Sequence, residues 1–434
     1  MKHTTAATDG PVVEEKGSAL FIASAALMLV SLVVGGTSRP LNQLVIALAA
    51  LPVLYLVLVS PKRMPLAWTA KLALALLGLA LLQLVPLPPS LWTALPGRDL
   101  AAAALDGAGL SPGWRPLALD PGAAAMTLGT LFSPLVLHVA VCRLGWTDTR
   151  RLLAILAGFA LVSALLGIAQ RLAGGLALYT TAHAGDSIGL FTNRNHHADL
   201  IISGMLLLSA LVLPGQLRRY RLVLSAALVV LALSVIATTS RFGITLAAPA
   251  TLVALLVVWR PSPRQALTLG AAAVVGALAL FYVPAFSAIF ERFGEVGDDQ
   301  RLTMARDTLV AARAMWPWGS GYGSFVPVYM AFEDLDMIQA RYIVAAHNDY
   351  LQLLLEGGLA GLLTAFAGVV AVALLGWRMF TAAAPALAWG AWGVLVLLMT
   401  HSFFDFPLRT GALMAVYAVC TAATYTAGRR LPHR

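Results

Sequence analysis

Charged side chains are scarce in this sequence: Asp, Glu, Lys and Arg together make up 11% of 434 residues, while 59% are hydrophobic. So little polar surface cannot coat a soluble globule of this length, and a mean hydropathy of +0.82 points to a polytopic membrane protein. Cysteine is almost absent. The two residues, Cys142 and Cys420, are too few for a zinc cluster, and both fall near predicted cytoplasmic helix ends, so no structural disulfide is expected. No Walker A sequence and no dinucleotide fingerprint after a strand occurs, which leaves the chain without the usual means of hydrolysing a nucleotide. Internal repeats are not evident, which weighs against a transporter built from inverted halves.

Long apolar runs are what the chain has in abundance. Within a bilayer the backbone must satisfy its own hydrogen bonds, and runs of about twenty residues are too long for barrel strands, so an all-α membrane bundle is predicted. Windows of roughly nineteen residues place about twelve spans, near 17–36, 43–60, 67–86, 123–142, 152–170, 197–213, 221–239, 243–259, 266–285, 358–376, 386–404 and 410–427. The first run lacks a small-residue cleavage site and is long enough to span, so it is read as a retained helix after a short polar tail, residues 1–16. The predicted organisation is therefore a bundle over 17–285, an outer-loop subdomain over 286–357, a second bundle segment over 358–427 and a tail over 428–434.

A net charge of +9 would suggest a nucleic-acid partner in a soluble protein; here its distribution reports topology, and no nucleic acid is expected. Lys62, Arg63, Arg143, Arg150, Arg151, Arg218, Arg219, Arg221, Arg260, Arg264, Arg378, Arg429 and Arg430 fall on one side, with Lys2, Lys16 and Arg434 in the tails. The short loops on the other side hold Arg39, Arg171, Arg194, Arg241 and Arg409, and nearly all the acids are there too. The positive-inside rule then puts both termini in the cytoplasm.

Two outer loops are long. The first, about 87–122, is rich in Pro, Gly and Ala and carries Trp92, Trp114, Arg98 and Arg115; it reads as an interfacial cover. The second holds a helical run, RLTMARDTLVAARAM, in which Arg306 and Arg313 are spaced to share a face. A glycine-rich turn, Trp316 to Phe325, ends that run, and its aromatics suit a membrane interface. The adjacent acids Asp298 and Asp299 read as part of a solvated loop and not as a metal pair.

Three outward clusters hold polar residues that a lipid-facing helix would not tolerate, because an ionised group at membrane depth costs about 3 kcal/mol. The first, GLFTNRNHHADL (Gly189 to Leu200), sets Arg194 between Asn193 and Asn195, just before His196 and His197. Adjacent histidines on a helix point apart and make a poor metal pair, and the plain reading of Arg194 is snorkelling to headgroups. The second is TTSRFG (Thr238 to Gly243), where a very short turn fixes the depth of Arg241. A guanidinium so placed suits a phosphate, or a salt bridge to a loop carboxylate such as Asp405 of HSFFDFP. His401, one turn before Asp405, suits an interhelical hydrogen bond. The third, HNDYLQLLLEGGLAGLL (His347 to Leu363), closes a polar loop and opens an apolar helix, which sets an imidazole, an amide and a carboxylate where water meets membrane. Asn348 or Asp349 can cap that helix, and its positive end favours a nearby phosphate; a plain cap is the competing reading.

Taken together, FTNRNHHADL, TSRFG, the outer loop with RLTMARDTL and GSGYGSF, and HNDYLQLLLEGGLAGLL resemble the O-antigen ligase and O-antigen polymerase superfamily, over roughly 150–425 and most closely over 189–363. The resemblance implies an inner-membrane glycosyltransferase that works at its periplasmic face without a nucleotide sugar, cofactor or metal. In the ligase branch, a polysaccharide passes from undecaprenyl diphosphate to lipid A-core. In the polymerase branch the acceptor is another lipid-linked glycan. On this basis His347 is expected to be the catalytic base, with Arg194 and Arg241 holding the diphosphate. Arg306, Arg313, Asn195, Asn348, Tyr350 and Asp405 are the expected substrate-binding residues. Partners would be the two lipid-borne substrates and membrane lipids. A solute transporter is the alternative from another class; it would place its polar residues near the midplane, whereas here they gather at the outer ends of spans.

Overall fold

In a computed structural model, residues 10–60, 64–174, 176, 179, 186–212, 216–280, 297–338 and 343–429 are described. The terminal residues 1–9 and 430–434, Lys62 and Arg63, and the opening of the long outer loop, 286–296, lie outside them. The chain is an almost purely helical bundle, and each expected span lies on or begins in a helix. The membrane helices are α1 (Gly10–Val34), α2 (Pro40–Leu58), α3 (Trp68–Leu81), α6 (Pro121–Gly129), α7 (Phe132–Arg143), α8 (Trp146–Ala173), α9 (Arg194–Leu211), α10 (Leu217–Ala237), α11 (Arg241–Trp259), α12 (Pro263–Leu280), α15 (Asp349–Thr381), α16 (Ala386–His401) and α17 (Gly411–Gly428). Between them run α4 (Pro89–Thr93), α5 (Asp99–Gly107), α13 (Gly297–Ala314) and α14 (Phe325–Phe332). Among the described residues, 7 helical stretches, α6 and α7 counting as one, are long and apolar enough to cross a membrane by themselves. Three shorter apolar helices join them, at Ala19–Val34, Trp68–Leu84 and Ala386–His401. The expected twelve therefore include helices that fall short of that measure.

The case of α9 explains why. Its first turns carry Arg194, His196, His197 and Asp199, and it is buried almost all round, packed by α8, α10, α11 and α16. A helix enclosed on every side needs no lipid-facing stripe. Its outer end therefore delivers polar side chains to the centre of the bundle mouth.

The helix expected to open at Asn348 or Asp349 does so, as α15 starts at Asp349, and the expected span start at 358 falls on a break within it at Gly358. Hydropathy places the start late because the first turns contain Asp349, Gln352 and Glu356, which are buried against protein and not lipid. Asp298 and Asp299 likewise stand in the first turn of α13, a helical position and not the loop expected. Cys142 and Cys420 are both free.

The outer loops are fastened to a break in α15. At Gly358 the backbone leaves the helix (φ 56, ψ −133), freeing carbonyls that would be costly in a membrane. The glycine-rich turn answers them: Ser320 N–H donates to the Leu355 carbonyl at 3.0 Å, Gly321 N–H to that of Glu356 at 2.9 Å, and Leu359 N–H to Pro317 O at 2.8 Å. Gln83 adds a bond from its side chain to Glu356 O at 3.0 Å. The first loop, which contains α4, α5 and a two-stranded ribbon pairing Pro86–Leu87 with Arg115–Pro116, is held to the same turn. Arg98, fully buried, donates to Leu117 O at 2.6 Å and Gly319 O at 3.1 Å, and burial pushes its guanidinium down to about 10. The loop read as an interfacial cover is thus bolted through an arginine to the break in α15.

At Gly358 a side chain would meet both a forbidden backbone conformation and the Pro317 carbonyl. Gly358→Ala is expected to cost at least about 2 kcal/mol, seen as a lower midpoint in a thermal melt of the purified protein in detergent; an unchanged midpoint would show that the break is not strained there.

Candidate functional site

Three helix starts converge at one end of the bundle, and each is fixed by the residue before it. Asn193 caps α9 by accepting from Asn195 N–H at 2.8 Å. Ser240 caps α11 by accepting from Gly243 N–H at 3.0 Å, and the side-chain oxygen of Asn348 accepts from Tyr350 and Leu351 N–H at 3.0 Å each. These caps satisfy amides that would otherwise be orphaned. The fourth contributor is the turn between α16 and α17, residues 402–410.

At the centre lies Asp405, with no exposed side-chain surface. One oxygen accepts from His347 Nδ1 and from Phe406 N–H, both at 3.0 Å. The other accepts from Asn195 Nδ2 at 2.6 Å and Asn193 Nδ2 at 3.4 Å. Burial alone would raise this carboxyl, but the hydrogen bond from His347 and the nearby imidazoles of His196 and His401 outweigh it and hold Asp405 well below the usual carboxylate range. An ionised carboxylate only accepts, so Nδ1 of His347 carries a proton, and Nε2 is the ring atom at which a further proton can be taken up. The imidazole is 29% exposed and sits edge-on to Phe406, with ring centres 5.0 Å apart. His347 holds a left-handed backbone (φ 47), a strain of about 1–3 kcal/mol that surrounding contacts must sustain.

Asp349 supports this arrangement from behind. It accepts from Ser402 Oγ at 2.9 Å and Arg409 Nε at 3.1 Å, and its own N–H donates to Ser402 O at 2.8 Å. Arg409 also pairs with buried Glu356 at 3.3 Å. Deeper still, His401 Nδ1 meets Asp199 Oδ1 at 2.6 Å with both side chains fully buried, the interhelical bond expected of His401.

The structure sorts the expected residues. His347, Asn195 and Asp405 come together. Arg194 is not snorkelling: its guanidinium donates to Asp186 at 3.0 Å and to Thr239 of the α10–α11 turn at 2.8 Å. Arg241 opens α11, half-buried, beside Phe242, whose ring stacks on Phe404 at 4.2 Å. The carboxylate proposed for it, Asp405, is engaged by His347 and the two asparagines. Two of the expected residues make structural contacts. Asn348 spends its side-chain oxygen on the cap, and Tyr350 donates its hydroxyl to Met399 O at 2.7 Å while its ring rests on Phe403. Both therefore shape the start of α15. Arg306 and Arg313 are exposed on α13, as their shared face predicts. From the same helix it is Arg301, not singled out in the sequence, that reaches the neighbourhood, with its guanidinium over the Phe242 ring at 5.5 Å. It lies five residues from Arg306 and so on a different face, a distinction only the docking of α13 reveals. His196 and His197 do point apart: one ring lies against Phe406, the other contacts Ser187 O and Ser163 O.

Asp405→Asn removes one partner of a buried pair, at a cost of about 3 kcal/mol near neutral pH. Because the folded carboxyl is depressed, this stabilisation is present above the unfolded value near pH 4 and fades as pH falls further. Thermal melts should show the gap between variant and parent narrowing below about pH 4; a gap independent of pH would contradict the ionised assignment.

The comparison with curated proteins found no match to the chain. Residues 226–366 match the family model described as O-antigen ligase. That region runs from α10 through α11, α13 and α14 into α15, and so contains Arg241, Arg301 and His347. The match covers about a third of the chain and supports the resemblance to the O-antigen ligase and polymerase superfamily.

Proposed function

We propose that this protein is an O-antigen ligase that transfers a polysaccharide from undecaprenyl diphosphate to lipid A-core at the periplasmic face of the inner membrane. The observation that carries the reading is the His347–Asp405 pair at the outer mouth of the bundle. A carboxylate that fixes Nδ1–H and leaves Nε2 free is the arrangement that makes a histidine a general base. The acceptor hydroxyl attacks the anomeric carbon as Nε2 takes its proton. The bond from that carbon to the diphosphate oxygen breaks, and the diphosphate leaves with the electron pair. Guanidinium groups suit that leaving group because they offer two parallel donors. Arg194 and Arg241 are assigned to it, with Arg306 and Arg313 drawn in from α13 as further clamps. Energy stored in the glycosyl diphosphate removes any need for a nucleotide, and the arginines supply the positive charge a metal would otherwise bring. A single displacement inverts the anomeric configuration. The topology that fits has both termini in the cytoplasm and lateral entry of both lipids at the outer leaflet.

The test is transfer to rough lipopolysaccharide by the purified protein in EDTA, read by gel mobility of the acceptor. His347→Ala should lower the rate at least about 100-fold while still binding the lipid-linked donor; unchanged transfer would remove His347 from the mechanism. Lengthening of lipid-linked repeats with no shift of the acceptor would make the protein a polymerase, and no transfer of either kind by active preparations would favour transport. Arg241→Lys should lose most activity, since an ammonium does not reproduce the guanidinium fork; full activity would leave only a charge requirement.

A further inference from the structure

Two residues four apart on α9 face two residues four apart at the end of α16. Asn195 bonds Asp405 at 2.6 Å, and Asp199, one turn deeper, bonds His401 at 2.6 Å. Residues at i and i+4 lie on one helix face, so the contacts form a two-rung ladder between the start of α9 and the end of α16. The rungs are joined through the main chain as well: the His401 carbonyl accepts from Phe404 N–H at 2.8 Å and from Asp405 N–H at 2.9 Å. The next residue, Ser402, is held by Asp349. Whatever fixes His401 therefore fixes the turn that presents Asp405.

We infer that His401 and Asp199 are positioning residues for transfer: their bond sets the register of α16 against α9 and thereby the place of Asp405 and the imidazole of His347. This rests on the general-base reading of His347. His401 has no exposed side-chain surface, as does Asp199, so neither reaches an incoming hydroxyl. The lower rung lies beside Phe242, whose ring centre is 6.1 Å from that of His401, and in such a setting a short bond to a carboxylate is strong. Among the described residues the remaining polar atoms of the pair, Asp199 Oδ2 and His401 Nε2, take no hydrogen-bond partner, so the Nδ1–Oδ1 contact is the side-chain hydrogen bond that joins the two. A general base displaced by about 1 Å loses on the order of 100-fold in rate.

Steady-state transfer kinetics test the inference, run beside the parent protein and His347→Ala. His401→Asn keeps an N–H donor close to the position of Nδ1 and should retain kcat within about fivefold, whereas His401→Leu should lose about 30-fold or more in kcat, with KM for the lipid-linked donor within about twofold. The inference is overturned by an unchanged kcat in His401→Leu, by a loss expressed in KM alone, or by an Asn variant as impaired as the Leu one. If His401→Leu does not reach the membrane, Asp199→Asn, which keeps the volume and one acceptor oxygen, decides the matter: a three- to tenfold loss of kcat, on the order expected for a weakened charged hydrogen bond, supports the ladder and an unchanged kcat refutes it. Inactive parent protein, or an active His347→Ala, would defeat the functional reading itself; normal behaviour of both controls with unaffected His401 variants would defeat this inference alone.

Discussion

A carboxylate buried at the mouth of a membrane bundle is unstable unless every lone pair is answered. Asp405 meets that condition with donors from four directions: the imidazole of His347, the amides of Asn193 and Asn195, and the N–H of Phe406. Removing a partner from such a group leaves the full desolvation cost, which is why its surroundings are so heavily braced. The donors come from three elements, so the single charge draws the start of α9, the entry to α15 and the α16–α17 turn into one cluster. The left-handed backbone at His347 is held by that cluster.

A second electrostatic group does the same for the outer segment. Asp349 and Glu356 share Arg409, and the break at Gly358 lends its carbonyls to the glycine-rich turn. Gln83 and Arg98 extend the connection to the first outer loop. The outer loops are consequently tied to the helix whose first turn follows His347. On the proposed reading, this gives the base a fixed frame while α13, which carries Arg301, Arg306 and Arg313, faces the arriving diphosphate.

Much of this was legible in the sequence. Apolar runs locate helices because a backbone in lipid has few alternatives, and polar clusters at span ends stand out because membrane depth makes them costly. HSFFDFP and HNDYL were separately conspicuous for that reason. What local pattern could not supply was the pairing of Asp405 with His347, 58 residues apart in sequence, or the placement of Arg301 over Phe242. Those depend on how helices dock. Nor could local pattern show that Tyr350 braces the α15 start through Met399, while the cap by Asn348 was one of the two readings its position allowed. Arg98 looked like a loop charge because nothing local reveals that two backbone carbonyls await it. Asp349 and Glu356 kept the hydropathy span from reaching back over the first turns of α15 for a related reason, since a hydropathy window cannot tell a charge buried in protein from one in water.

On the proposed reading His347, oriented by Asp405, serves a direct displacement at an anomeric carbon. The stereochemistry of the new glycosidic bond tests it most directly. Transfer from a lipid-linked donor of known anomeric configuration, followed by NMR of the linkage in the product, should show inversion. Retention would require a covalent glycosyl intermediate or a second displacement, and would contradict a single step with His347 as base.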